Sequence, residues 1–213
     1  MRTPDFGLGV RRPTFFPLLG DGIFTQDGPS WKHSRDMLRP QFMSNRTQTV
    51  ELLQQHVDDL IAVIPDDLPM DLQSHFFRYT LDTTTSLLFG RSLDTLTKGS
   101  VDHAEASFAE AFTVAQDFLA KRGRLGELYW LIGGRKFRDA CKQVHTFVDS
   151  MIANALQARI VRLSGKKAAI ELDYVFLDAL IEETQDPVAL RSTCLNILLA
   201  GRDTTACCLS WTL

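Results

Sequence analysis

Long apolar runs are missing from this sequence. Nowhere in its 213 residues do eighteen uninterrupted apolar side chains follow one another, so no segment reads as a membrane-spanning helix. The opening MRTPDFGLGVRRP also has no apolar core of the kind a secretory signal needs. Cysteine is scarce: Cys141, Cys194, Cys207 and Cys208 are the four present. None stands in C-x-x-C spacing, and the adjacent Cys207-Cys208 has too few partners to clamp a structural zinc, so reduced thiols filling core space are expected. Nor is there a long basic run to track a phosphate backbone; with 23 basic against 26 acidic residues and a net charge of -3, nucleic acid is not an expected partner. No convincing pair of strands and no repeat of fixed period can be picked out.

What is there is an ordinary globular composition, 45% hydrophobic and 23% charged, which fits one domain over residues 1–213. Glycine and proline crowd the start: Pro4, Pro13, Pro17 and Pro29 with Gly7, Gly9, Gly20, Gly22 and Gly28, a loop-like composition. A short helix is expected from Ser30, as N-cap, to Leu38, ended by Pro40. It puts Trp31 and Arg35 on one face.

Apolar steps of three and four then mark long helices. Val50, Leu53, Val57, Leu60, Ile61 and Ile64 define one from Ser44 to Ile64, stopped by Pro65-Asp66-Asp67. Asp71 can cap the next, with Leu72, Phe76, Tyr79 and Leu87 in a stripe that ends at Gly90. Another opens at Ser100 and presents Val101, Ala104, Phe108, Phe112, Ala115 and Leu119. Arg135 to Leu163 continues the pattern with Phe137, Cys141, Val144, Val148, Met151 and Ala155. After Gly165-Lys166-Lys167, a shorter helix spans Asp173 to Glu183. The last opens at Asp186-Pro187, an N-cap followed by proline at the first helical position, and meets no stop signal before SWTL at its end. That ending suggests an interrupted helix and a truncated fragment. The fold class is mainly α with short connections.

Residues 120 to 135, AKRGRLGELYWLIGGR, differ in kind. They are basic at first, then apolar and aromatic from Leu128 to Ile132, then paired glycines. Such a segment suits contact with a membrane interface or burial against neighbouring helices, and burial is the expectation.

One stretch of the last helix runs against helix propensity. In LNILLAGRDTTACCLSW the cluster Gly201-Arg202-Asp203-Thr204-Thr205 breaks an apolar run, although a helix-interior glycine costs about 1 kcal/mol relative to alanine and adjacent β-branched threonines lose rotamer freedom. Gly201 exposes bare backbone beside the hydroxyls of Thr204 and Thr205, a patch that a flat ligand can approach closely. A threonine that bonds back to the preceding turn can also open the helix locally. A purely structural account remains: Gly201 for close packing, the threonines satisfied by their own backbone, and Asp203 paired with Arg202 or Arg191.

Ala200-Gly201-Arg202-Asp203-Thr204-Thr205 resembles the [AG]-G-x-[DE]-T-[TS] signature in the central helix of the cytochrome P-450 superfamily, the haem-thiolate monooxygenases. Upstream, Trp31-Lys32-His33-Ser34-Arg35 resembles the same family's W-x-x-x-R, where an indole N–H and a guanidinium one turn apart can donate to haem propionates. Taken alone, that pair could equally be a surface Trp–Arg stack. GDGIFTQDGPSWKHSRDMLRPQF and LLAGRDTTA look most like the fungal microsomal branch that hydroxylates n-alkanes and fatty acids. The resemblance covers essentially the whole chain.

The resemblance implies a partial cytochrome P-450 fold, from the third helix through the long central oxygen-binding helix, with haem as cofactor. It implies an NADPH-dependent reductase and an apolar small molecule as partners, and the endoplasmic reticulum membrane as location. Trp31 and Arg35 would bind the propionates, and Ala200, Gly201 and Thr205 would lie against the cofactor. Thr204 would hydrogen-bond the oxygen being activated, and Asp203 would relay protons to it. Phe24, Phe108, Phe112 and Ile197 could line an apolar channel, although aromatic residues at helical spacing are more often core. The family's E-x-x-R helix and its F-x-x-G-x-R-x-C-x-G loop do not occur here, so no cysteine is nominated as axial ligand. A haem monooxygenase fragment is the first reading, and a non-catalytic helical remnant or interaction protein that does not ligate haem iron is the alternative.

Overall fold

The computed structural model describes residues 7–43, 46–65, 69–97, 103–163 and 175–213. Eight α-helices and one short 3-10 helix stand in these segments: α1 Arg11–Leu19, α2 Gly28–Met43, α3 Arg46–Val63, α4 Leu72–Phe89, α5 His103–Leu125, the 3-10 turn Gly126–Leu131, α6 Arg135–Leu163, α7 Phe176–Glu183 and α8 Pro187–Thr212. Among the described residues there is no strand. The mainly α expectation is met. The expected starts at Ser44, Ser100 and Asp173, and the breaks at Asp66-Asp67 and Gly165-Lys166-Lys167, lie outside the described residues.

The start of the chain is helical where a loop is expected. In α1, Pro13 sits in the first turn, where a missing N–H costs nothing. Pro17 lies deeper and has no N–H to offer the Pro13 carbonyl. Arg122 of α5 supplies the donors from outside: Nη2 donates to Pro13 O (3.1 Å), Nε to Thr14 O (3.0 Å) and Nη1 to Ile132 O (2.7 Å). A tertiary contact therefore overrides the local composition. Likewise α2 starts at Gly28 and runs past Pro40 to Met43, so Ser30 is interior and Pro40 does not end it. The extra turn places Phe42 against Phe176 of α7, with ring centroids 5.2 Å apart.

The caps of α4 and α8 follow from single residues. Asp71 accepts from Gln73 N (3.0 Å), and Asp186 accepts from Val188 N (3.0 Å) just ahead of Pro187. Gly90 closes α4 in the left-handed conformation at φ 66°. Thr80, Thr84 and Thr85 are buried at little cost because each returns its hydroxyl to the carbonyl four residues back, at 2.8, 2.6 and 2.9 Å. That leaves α4 able to pack along α8. The main core joins α5, α6, α7 and α8 through Phe108, Phe112, Val144, Val148, Leu180 and Leu195, all at most 1% exposed.

Residues 126–131 correct the expected burial. The 3-10 turn buries none of its side chains, and Leu128, Trp130 and Leu131 are exposed at 51%, 66% and 58%. Tyr129 alone turns inward, beneath the Arg122 guanidinium at 5.0 Å. Among the described residues no helix is long and apolar enough to cross a membrane.

Candidate functional site

Helix α8 carries the polar cluster through the middle of the fold. A Cβ placed on Gly201 would come within 2.7 Å of Thr84 Oγ1 and 3.1 Å of Thr84 Cγ2 on α4, so glycine is required there for helix packing. This supplies the structural half of the reason for breaking the helix. The other half lies at its edge, where a cavity of about 390 Å3 opens between α2, the loop at Ile23-Phe24, α4 and α8. Ala200 and Gly201 of α8 and Arg35 and Arg39 of α2 line it, and Phe24, Leu38, Phe42 and Ile197 are among its apolar walls.

Asn196 holds the loop against α8. Fully buried, its Nδ2 donates to Leu19 O (3.2 Å) and Ser192 O (2.7 Å), and its Oδ1 accepts from Phe24 N (3.1 Å). Gly22 passes so close that a Cβ would stand 2.5 Å from Asn196 Nδ2. Asn196, Arg39 and Thr84 belong to no motif and join the site only through the fold. An asparagine inside an apolar helix and a second arginine one turn after Arg35 were the signals for the first two.

The residues singled out from the sequence do not all come together. Arg35, Ala200 and Gly201 meet in the cavity, with Phe24 and Ile197. Trp31 stands beside it with its ring 5.8 Å from the Arg35 guanidinium carbon, so the Trp–Arg stack is present and the guanidinium remains exposed. Thr204 and Thr205 lie further along α8 with exposed side chains; Thr204 Oγ1 donates to Ala200 O at 2.5 Å, the back-bond expected of it. Phe108 and Phe112 take no part in the cavity and are stacked in the core, centroids 5.7 Å apart.

Of the two partners open to Asp203, Arg202 is the one it meets, with Nη1 and Oδ1 3.5 Å apart; Arg191 instead pairs with Asp149 at 2.7 Å. Burial pushes the Asp203 carboxyl above its ordinary range, and the neighbouring Arg202 charge offsets part of that rise. The thiols of Cys141 and Cys194 are pushed up to about 12 by burial and so stay protonated. Cys207 and Cys208 are exposed on α8, and none of the four cysteines lines the cavity. Among the described residues no cluster of His, Cys, Asp and Glu could hold a metal ion.

A flat apolar group carrying carboxylates matches this cavity. Its lining is mostly aliphatic and aromatic, includes the small residues Ala200 and Gly201, and holds two arginines that can pair with the acids. The residues thus fit the face and the propionates of a haem, while an iron ligand is not among them.

The sequence pattern of the cytochrome P450 family matches residues 10–213. A cytochrome P450 of Arthroderma benhamiae is 54% identical over 91% of this chain and 39% of its own length. Cytochrome P450 52A5 of Candida maltosa is 44% identical over 97% of this chain and 40% of its own. The crystal structure of a cytochrome P450, CYP102L1, superposes with a TM-score of 0.65 at 19% identity, over 96% of this chain and 44% of that one. The cytochrome P450DA haem domain gives 0.66 at 20%, over 91% and 42%. The chain belongs to the cytochrome P450 family, and its fold is a partial P450 fold spanning about 40% of the length of the curated relatives it matches.

Proposed function

We propose that the full-length protein carrying these residues is a haem-dependent monooxygenase that places one oxygen atom from O2 into a C–H bond of an n-alkane or fatty acid. The observation that carries this reading is the mostly apolar cavity lined by Arg35 and Arg39 together with Ala200 and Gly201. When bound, haem supplies the oxygen-activating chemistry that no side chain provides.

The chain's own residues then have separable tasks. Arg35 and Arg39 pair with the propionates, and Trp31 braces the Arg35 guanidinium. Ala200 and Gly201 keep the α8 surface low. Thr204 holds a proton at Oγ1 close to that surface, and Asp203, half-buried beside Arg202 one residue earlier, relays protons to it. Electrons come from an NADPH-dependent reductase. The exposed Leu128, Trp130 and Leu131, with Lys121, Arg124 and Arg135 around them, suit the interface of the endoplasmic reticulum membrane.

Supplied with a long-chain fatty acid, the reductase, NADPH and isotopically heavy dioxygen, the full-length protein is expected to form a hydroxy acid bearing one heavy oxygen, the second oxygen leaving as water. Mass spectrometry reads the label. NADPH consumption with no labelled product from fatty acids or n-alkanes would overturn the reading.

A further inference from the structure

Arg202 fills the unassigned position of the A-G-R-D-T-T stretch, and it is the most heavily engaged cation of α8. Only 8% exposed, it sends Nη1 to Gln116 Oε1 (2.5 Å) and Nη2 to Thr113 Oγ1 (2.8 Å), both on α5. Its guanidinium carbon lies 5.3 Å from the centre of the Phe77 ring of α4 and 5.7 Å from that of Phe112 of α5. Burying a charge is costly without hydrogen bonds and an opposite charge, and a leucine or methionine would fill the space between two phenylalanines more cheaply. The position therefore calls for the charge itself.

The carboxylate that receives this charge is Asp203, at 3.5 Å from Nη1. Three buried atoms without a hydrogen-bond partner belong to this one cluster: Arg202 Nε, Gln116 Nε2 and Asp203 Oδ1. The cluster thus gives up hydrogen bonds to keep a fixed arrangement. A lysine would not reproduce it, because two acceptors on α5 are met by the two ends of one planar fork. The other charged residues facing this place are Arg78 of α4 and Glu110 of α5, which with Arg202 line a cleft of about 620 Å3 between those helices.

We propose that Arg202 is a positioning residue: pinned by Gln116 and Thr113, it holds a fixed positive charge beside Asp203 and keeps that half-buried carboxylate ionised and oriented. The inference rests on the reading of Asp203 as a proton carrier. Removing the cation leaves burial alone acting on Asp203, and burial favours the neutral acid, so its titration moves to higher pH.

Infrared difference titration of the full-length protein follows the Asp203 carboxyl band, identified by its loss in Asp203→Asn, and requires no turnover. The band's midpoint is expected to rise in Arg202→Leu, to fall back towards the parent value in Arg202→Lys, and to rise by a smaller amount in Gln116→Leu, where the guanidinium is unpinned. The pH profile of peroxide release should be displaced in the same direction. An unchanged midpoint in Arg202→Leu overturns the proposal. If that variant does not fold, Gln116→Leu decides: a raised midpoint supports the proposal and the parent midpoint overturns it. Unchanged product coupling in Asp203→Asn defeats the proton-carrier reading instead, whatever the infrared shift.

Discussion

Thr204→Ala is expected to lower the product formed per NADPH consumed by up to about a hundredfold, the low side of what a positioned proton donor contributes, and to raise hydrogen peroxide release in step. Thr204 Oγ1 donates to Ala200 O at 2.5 Å, so both of its lone pairs stay free to accept and its proton can be handed on when the hydroxyl turns. Alanine removes both functions without disturbing packing, because the Thr204 side chain is exposed in this structure. Thr204→Ser keeps the hydroxyl and should keep most of the coupling. Peroxide and product measured side by side check the pair, and unchanged values in Thr204→Ala would contradict the role.

Arg122→Leu is expected to cost on the order of 3 kcal/mol of folding stability, because one side chain supplies charge-assisted donors to three carbonyls, one of which, Pro13 O, faces the N–H-less Pro17 a turn further on. Leucine would fill the space above Tyr129 and Phe137 but leave Pro13 O, Thr14 O and Ile132 O without these donors. Arg122→Lys should recover only part of the loss, since an ammonium is a single centre and the three acceptors are spread around a fork. Denaturant unfolding of the full-length protein measures the difference. A midpoint equal to the parent's in Arg122→Leu would show that α1 holds its proline-containing turn without help from α5.

These two cases also mark what could be read from sequence. The long helices were legible because their apolar stripes and caps are local: Asp71 with Gly90, and Asp186 with Pro187, each fix an end through bonds to residues nearby. α1 was not, because the donor that completes its turn lies 109 residues from Pro13. The extent of α2 was obscured for a similar reason, its last turn being held by a phenylalanine contact with α7. The apolar 3-10 turn was misread in the opposite sense, since composition does not show which way Leu128, Trp130 and Leu131 point.

The candidate site was legible in part. Motif spacing brought Arg35 to the same cavity as Ala200 and Gly201, across 165 residues of chain. The double duty of Gly201, packed on Thr84 while bordering the cavity, needed the opposing helix to be seen. So did Arg202, whose partners on α5 leave no trace in the sequence around it.

The central claim is that the cavity between α2 and α8 holds the propionate edge of a haem. Haem content per protein chain, measured after purification of the full-length protein and of Arg35→Ala, tests it most directly. The account predicts clear loss of haem from Arg35→Ala, deepened by Arg39→Ala, with the helical content of both variants unchanged. Equal haem content in the parent and in the double variant would contradict it.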